Sequence, residues 1–144
     1  MSNCIVEQLK KSDIQSLQEI VEVAEMSFNI EQIERFLSKK QNLAFLAKLD
    51  DKIIGLLYGY ELTKMDVNRP QFFIYSVDIL PDYQNNGYGS QLVKYSVDYV
   101  KKHNYSESFV ITEKNNIRAC KVYEKAGGKH SDEDCDRVYC MEYM

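Results

Sequence analysis

Residues 72–91 read FFIYSVDILPDYQNNGYGSQ, an apolar run followed by a turn that contains two glycines. The run at 72–80 is rich in aromatic and β-branched residues, which favour strands, and its nearly continuous apolar character predicts a central strand covered on both faces. After the turn at 84–89, apolar residues recur at helical spacing from Leu92 to Val100, with lysines on the opposite side. The sequence therefore predicts a strand, a glycine turn and a helix in this order.

This arrangement is suited to binding an anion. Backbone N–H groups and the positive end of the helix dipole meet at the turn, and glycines allow a ligand to approach the backbone closely. An ordinary tight turn explains Gly87 and Gly89 equally well when they are taken alone. A P-loop is excluded because Ser90 and Gln91 follow the glycines in place of Lys and Ser/Thr, and the dinucleotide fingerprint lacks its third glycine at Leu92.

A second motif at residues 116–127 reads NIRACKVYEKAG. Together with the turn it resembles the GNAT N-acetyltransferase family, whose pattern is Pro-acid-aromatic, Gln/Arg-x-x-Gly-x-Gly/Ala, and later Asn-x-x-Ala-x-x-x-Tyr-Glu-Lys-x-Gly. The matching residues are Pro81, Asp82, Tyr83, Gln84, Gly87, Gly89, Asn116, Ala119, Tyr123, Glu124, Lys125 and Gly127. The match covers roughly residues 75–128, and the elements before it agree with the family only in their order.

The resemblance implies a site for acetyl-CoA as cosubstrate and requires no metal. The pantetheine arm would lie along Val77, Asp78 and Ile79 and pair with their backbone, and Asn116, with Ala119 on the same helix, would contact the arm from the side. A plain helix cap explains Asn116 at least as well. The coenzyme pyrophosphate would be held by backbone N–H groups of the turn, with the side chain of the first residue contributing: Gln84, Asn85, Asn86, Gly87, Tyr88, Gly89 and Ser90.

The resemblance also implies two catalytic roles. Tyr123 would protonate the leaving thiolate, although its place on an apolar helix face also fits a buried core tyrosine. Many relatives carry Glu or Asp as the general base at the position aligned with Ser76, and a serine cannot fill that role at neutral pH. Asp78 lies two residues further on the same strand face and is costly to bury unpaired, so it is the candidate base. A salt bridge to Lys or Arg explains Asp78 equally well.

Two further features bear on the acceptor. Pro70 and the Phe73-Ile74-Tyr75 segment are similar to the aminoglycoside 3-N-acetyltransferase branch of the family, which has Asp at the position of Ser76, so drug resistance is not carried over from it. Residues 131–136 place four carboxylates before the chain end. Charge runs usually face water, which favours a solvated hairpin tip over a clamp for a protonated amine.

Composition limits the classes of function. The chain has 144 residues, 44% of them hydrophobic, which fits one domain over residues 1–144. A net charge of -4 argues against nucleic acid as a partner. Four cysteines without a C-x-x-C pair, together with two histidines, disfavour a zinc site. With no signal-peptide pattern and no apolar run of about 20 residues, we expect a cytoplasmic protein that does not enter the membrane.

The expected fold is a single α/β domain of the GNAT type, with a mixed, mostly antiparallel, twisted sheet that splays near residues 78–81 and has helices on both faces. A capping box at residues 12–15 would start the first helix.

The expected function is direct transfer of an acetyl group to a primary amine of a small molecule or peptide; the alternative is a catalytically silent acyl-CoA-binding or sensing module. Both a monomer and a homodimer are compatible with the sequence. The other predicted elements are a strand at 4–9, helices at 14–24 and 30–37, a hairpin of 43–49 and 53–60, a strand at 109–112, a helix from Asn116 to Gly127 and a strand at 137–143.

Overall fold

The computed structural model describes residues 4–23 and 28–130, together with Tyr139 and Met141. A short 3₁₀ turn, Pro81–Tyr83, follows the strand Gln71–Ile79. The predicted order of elements is confirmed from the strand Cys4–Gln8 to the helix Ile117–Lys125, although the strand Glu107–Val110 begins and ends two residues earlier than predicted. The acidic segment 131–136 and, apart from Tyr139 and Met141, the predicted last strand 137–143 lie outside the described residues. The elements are β1 (Cys4–Gln8), α1 (Ile14–Val23), α2 (Ile30–Leu37), β2 (Asn42–Leu49), β3 (Lys52–Leu62), β4 (Gln71–Ile79), α3 (Tyr88–Lys102), β5 (Glu107–Val110) and α4 (Ile117–Lys125).

The five strands form one sheet in the order β1-β2-β3-β4-β5. All neighbours are antiparallel except β4 and β5, which are parallel, so the predicted mixed and mostly antiparallel sheet is confirmed. Pairing between β4 and β5 stops at Ile74 and Val110. From Tyr75 onward β4 keeps β3 as its neighbour, and no other strand of the described chain pairs with its second edge. This open edge is where the sheet splays.

Helices cover both faces of the sheet, and the alternation of side chains along β2 shows why. Leu43, Phe45 and Ala47 point into one core, against which α3 packs, whereas Ala44 and Leu46 point into the other, beneath α1 and α2. The first core is called the α3-side core below and the second the α1-side core. Two buried faces explain why the strands read as continuous apolar runs.

The expectation that β4 is covered on both faces is wrong for its second half. Phe72 and Ile74 are buried, but Tyr75 is 60% exposed. Ile74 lies opposite Gly59 and Ser76 lies opposite Tyr58, so Tyr75 is an extra residue that forms a β-bulge.

The bulge resets the alternation of side chains along β4. Val77 and Ile79 pack against the α3-side core, as Phe72 and Ile74 do. Ser76 and Asp78 are therefore directed to the α1 side, where α1 and α2 lie.

The start of α1 differs from the predicted capping box at residues 12–15. The backbone N–H and the hydroxyl of Ser16 donate hydrogen bonds of 3.2 and 2.7 Å to the Asp13 carboxylate. Asp13, which directly precedes the helix, is thus the N-cap in place of Ser12. In the part of the chain that the structure describes, no helix has the length and apolar character needed to cross a bilayer.

Candidate active site

The turn between β4 and α3 exposes the start of a 15-residue helix. Gly87 occupies the N-cap position with φ of 83°, and no described side chain caps the first turn of α3. Asn85 also has a positive φ, of 66°. The free N–H groups of the first turn and the positive end of the helix dipole therefore point to one place, which suits a phosphate group.

The two glycines of the turn serve different purposes. The left-handed backbone of Gly87 disfavours any side chain, and a Cβ there would lie 3.1 Å from Nζ of Lys125. A Cβ on Gly89 would meet Val122 and Ile79 only at ordinary contact distances of 3.5 and 3.7 Å. Gly87 is thus required by the backbone of the turn, whereas the packing of α3 on α4 and β4 has room for a Cβ at Gly89.

Two cations of α4 lie at this turn, and the sequence pattern predicted a binding role for neither. Nζ of Lys125 is beside Gly87, and the Arg118 guanidinium donates a hydrogen bond to Oε1 of Gln84. The two residues are seven apart, which places them on the same face of a helix. That spacing was the available signal, but only the packing of α4 against α3 shows that this face meets the turn.

The side-chain amides of Gln84 and Asn86 in the turn already make hydrogen bonds within the protein. Nε2 of Gln84 donates a 2.9 Å hydrogen bond to the Ile79 carbonyl, while its oxygen accepts from Arg118. Nδ2 of Asn86 donates to the carbonyls of Tyr83 and Gln84. Gln84 therefore ties the turn to the end of β4, and its predicted contact with a pyrophosphate would compete with these bonds.

The open edge of β4 is the predicted place of the pantetheine arm. Val77, Asp78 and Ile79 pair with β3 through one edge of the strand. Alternate backbone N–H and C=O groups on the other edge are directed into the splay, where an extended ligand that contains amides could pair with them.

Asn116 is the N-cap of α4, because its side-chain oxygen accepts a 3.1 Å hydrogen bond from the N–H of Ala119. The cap interpretation is confirmed; contact with a ligand stays a prediction for both residues. Ser90, another predicted coenzyme contact, donates from its hydroxyl to the Val122 carbonyl at 3.2 Å. This bond joins the first turn of α3 to α4 and holds the two helices beside the same turn.

Tyr123 projects from α4 and packs, partly buried, against the α3-side core. Burial raises the pKa of its hydroxyl, and the nearby charge of Asp78 and then Cys120 raise it further. The hydroxyl is therefore protonated throughout the neutral range, as a general acid requires.

Among the described residues, the partner of the Asp78 carboxylate is a serine and not a cation. The Ser76 hydroxyl donates a 2.7 Å hydrogen bond to Oδ2 of Asp78. The salt bridges among the described residues are Lys48–Glu7 and Lys64–Asp66, so the salt-bridge explanation of Asp78 finds no support there. The charge of Asp78 also raises the pKa of Tyr58, after burial, Tyr60 and Tyr75.

Asp78 is thus within electrostatic reach of Tyr123, on the α3 side, and of Tyr58, on the α1 side. A cavity of about 420 Å³ lies beyond Tyr58 between α2 and the sheet, and none of the predicted coenzyme residues lines it. Within the described part of the chain, no cluster of three His, Cys, Asp or Glu side chains could hold a metal ion.

The arrangement of the turn, the open strand edge and α4 agrees with the protein family that the sequence matches. A sequence model of the acetyltransferase (GNAT) family matches residues 8–128, which is most of the chain and includes both motifs. This chain belongs to the GNAT family. By sequence, no curated protein matches this GNAT chain significantly.

Solved structures share the GNAT fold of this chain. An aminoglycoside acetyltransferase, meta-AAC0020, from an uncultured soil metagenomic sample and solved with sisomicin, superposes with a TM-score of 0.80 at 20% identity, over 96% of this chain and 97% of that one. The ribosomal-protein-alanine N-acetyltransferase of Brucella melitensis biovar Abortus 2308 gives a TM-score of 0.73 at 14% identity, over 96% and 100%. AAC(6')-Iy in complex with CoA gives 0.71 at 19%, over 97% of each chain. At these identities the likeness shows the fold; the similarity to the 3-N-acetyltransferase branch stays a prediction.

Proposed function

We propose that this GNAT domain transfers an acetyl group from acetyl-CoA directly to a primary amine of a small molecule or peptide. One observation carries the proposal: the uncapped start of α3, the open edge of β4 and the side chains of Asp78 and Tyr123 converge on one end of β4. The start of α3 would serve as a phosphate site and the open edge of β4 as a site for an amide-containing arm. Asp78 would serve as the base and Tyr123 as the acid. The CoA complex of AAC(6')-Iy supports the choice of cosubstrate.

The binding roles follow from charge and from backbone geometry. The N–H groups at the start of α3 and the Lys125 ammonium would neutralise the pyrophosphate of the coenzyme. The open edge of β4 would hold and orient the pantetheine arm by backbone hydrogen bonds. Acetyl-CoA supplies the activated acyl group, and no metal takes part in the proposed reaction.

The proton transfers are assigned to Asp78 and Tyr123. Asp78 accepts the proton that the amine nitrogen loses as it forms its bond to the acetyl carbon. Tyr123 donates its hydroxyl proton to the sulfur as the bond between carbon and sulfur breaks, which yields the amide and free coenzyme A. The two groups lie on opposite sides of β4, so one can serve the incoming amine and the other the leaving thiol.

The alternative of a silent acyl-CoA-binding or sensing module is motivated by Ser76 at the usual position of the acid. To separate the two, the purified protein is titrated with acetyl-CoA by calorimetry and assayed for thiol release with a panel of primary amines between pH 6 and 9. We expect binding together with amine-dependent thiol release. Binding without release from any amine would establish the silent module, and tighter binding of NAD or ATP than of coenzyme A would overturn both proposals.

A further inference from the structure

A cavity of about 420 Å³ lies between α2 and the α1 side of the sheet, a size typical of small-molecule sites. Its floor contains the buried side chains of Leu9, Ile20 and Leu56. Phe36 packs edge-to-face on Tyr58 and on Tyr60, with ring centroids 5.2 and 5.6 Å apart, and these three rings form one wall. The cavity therefore offers an apolar floor and an aromatic wall.

The register of β3 and β4 places this cavity beside the proposed base. Leu56 lies directly opposite Asp78, and Tyr58 lies directly opposite Ser76. Side chains of directly opposed residues in antiparallel strands share one face and are neighbours. Leu56 and Tyr58 both line the cavity, so the hydrogen-bonded pair of Ser76 and Asp78 lies next to two of its lining residues without itself forming part of the lining.

The charges around the cavity restrict what it can bind. The charged residues that line it are Arg35 and Lys39, which are both exposed, and none of the described lining residues is an Asp or Glu. A ligand with several ammonium groups would lose hydration there without gaining carboxylate partners. A single ammonium can instead meet the faces of tyrosine rings at the Asp78 end.

We propose that this cavity binds the acceptor, and that the acceptor is a monoamine with one apolar body, aromatic or aliphatic, whose amine is directed toward Asp78. The inference rests on the proposed function and specifies its substrate class. The apolar body would cover the floor formed by Leu9, Ile20 and Leu56. Polycationic aminoglycosides are excluded as good substrates because the described lining offers them no carboxylate.

The first test compares acceptors by thiol release at saturating acetyl-CoA, with 2-phenylethylamine, hexylamine, propylamine and sisomicin. Burial of a phenyl or hexyl body predicts kcat/KM values at least about 30-fold above that of propylamine. We expect sisomicin to be the poorest acceptor. Equal values for propylamine and the larger monoamines, or a preference for sisomicin, would overturn the proposal.

The second test fills the cavity. Ile33 of α2 lines it and is only partly buried, so Ile33→Trp is expected to fold. This variant should raise KM for 2-phenylethylamine at least about tenfold, the change expected from loss of a buried contact of a ring. Affinity for acetyl-CoA should stay within about twofold of the wild type. Glu31→Trp, at an exposed position of the same helix that does not line the cavity, is the matched control.

Failure of the proposed function can be distinguished from failure of this inference. If no amine releases thiol, binding of 2-phenylethylamine to the complex with coenzyme A is measured by ligand-observed NMR for the wild type and both tryptophan variants. Binding that Ile33→Trp abolishes and Glu31→Trp preserves supports the cavity as an amine site even in a silent protein. Binding unchanged in Ile33→Trp, or absent from the wild type, would refute it.

Discussion

The hydroxyl of Ser76 donates a 2.7 Å hydrogen bond to the carboxylate of Asp78 on the face of β4 that is turned to the α1 side of the sheet. This bond orients the carboxylate without neutralising it, in contrast to a salt bridge. A serine stands where related enzymes are expected to carry the acid, and the carboxylate is supplied two residues later. In the proposed function, Asp78 supplies the base that Ser76 cannot provide.

Replacing Asp78 by Asn removes the proposed base while keeping the shape of the side chain. We expect kcat/KM for the best amine to fall by about 10²-fold or more at pH 7, the usual contribution of a general base. Ser76→Ala leaves the carboxylate in place and should cost less than about tenfold, which is the value of one hydrogen bond. Thiol-release kinetics measure both. Wild-type turnover in Asp78→Asn would remove Asp78 from the mechanism.

Replacing Tyr123 by Phe removes the proposed acid. We expect kcat to fall about 10²-fold because the thiolate then leaves without a proton, whereas the dissociation constant of acetyl-CoA should stay within about twofold. Thiol release and calorimetry separate the two effects. An equal loss of binding and of kcat would instead indicate that Tyr123 supports the fold.

The pH dependence of turnover follows from the pKa of Tyr123. Burial, and then the charge of Asp78, raise this pKa above the ordinary value of 10.0 for tyrosine. The acid is protonated below its pKa, so the loss of kcat through its ionisation should have its midpoint above pH 10.0 in the wild type. In Asp78→Asn one of the raising charges is gone, so the residual activity should decline at a lower pH. An alkaline limb at the same pH in both proteins would contradict the electrostatic link.

Two glycines with positive φ form a matched pair. Gly87 has φ of 83° at the turn, and Gly127 has φ of 97° in a place where an added Cβ would meet no described atom within 4 Å. Gly87→Ala and Gly127→Ala should each lower the free energy of unfolding by about 1–2 kcal/mol through backbone strain. Only Gly87→Ala should also weaken coenzyme A binding, because its methyl group crowds Lys125 and the free N–H groups. Denaturant unfolding and calorimetry test this, and equal effects on binding would place the phosphate site elsewhere.

Lys125 is expected to contact the coenzyme phosphates. Lys125→Ala should weaken coenzyme A binding about tenfold or more, as expected for loss of a charge-assisted hydrogen bond, and should reduce the salt dependence of binding. Lys102→Ala, at the opposite end of α3, is the control and should leave both unchanged. Calorimetry at low and high salt measures the effect. If the two variants bind alike, the nearness of Lys125 to Gly87 has no bearing on the ligand.

The Asp13 cap should give the fold a measurable acid sensitivity. The hydrogen bond from the Ser16 side chain is the main cause that lowers the pKa of Asp13 below 3.8. Burial has a smaller effect in the opposite direction. Because the pKa of Asp13 is lowered, the stabilisation that the cap gives the fold is present above the ordinary pKa of an aspartate. It is lost as the pH falls through the pKa that Asp13 has in the folded state. Asp13→Ala should cost about 1 kcal/mol at pH 7 and less at pH 2. Denaturant unfolding at both pH values measures this, and Asp13→Asn, which can cap at either pH, should show a smaller pH dependence.

The order of the elements and the two coenzyme motifs could be predicted from the sequence because their signals are local. A glycine turn between an apolar run and a helical stripe defines β4, the turn and α3, and Asn116 defines the start of α4 without reference to the rest of the chain. Local signals were less accurate where two neighbouring residues both suited the same role. Ser12 and Asp13 both suit an N-cap, and only the observed bonds to Ser16 distinguish them.

By itself, the sequence determined the family, the candidate phosphate-binding turn and the candidate acid and base, since these depend on residue type and spacing along one chain segment. Only the tertiary structure decided which groups meet. The bulge at Tyr75 directs Ser76 and Asp78 to the cavity face, and the packing of α4 brings Lys125 to the turn. Such relations depend on strand register and on contacts between elements distant in sequence, where a shift of one residue reverses the direction of every side chain.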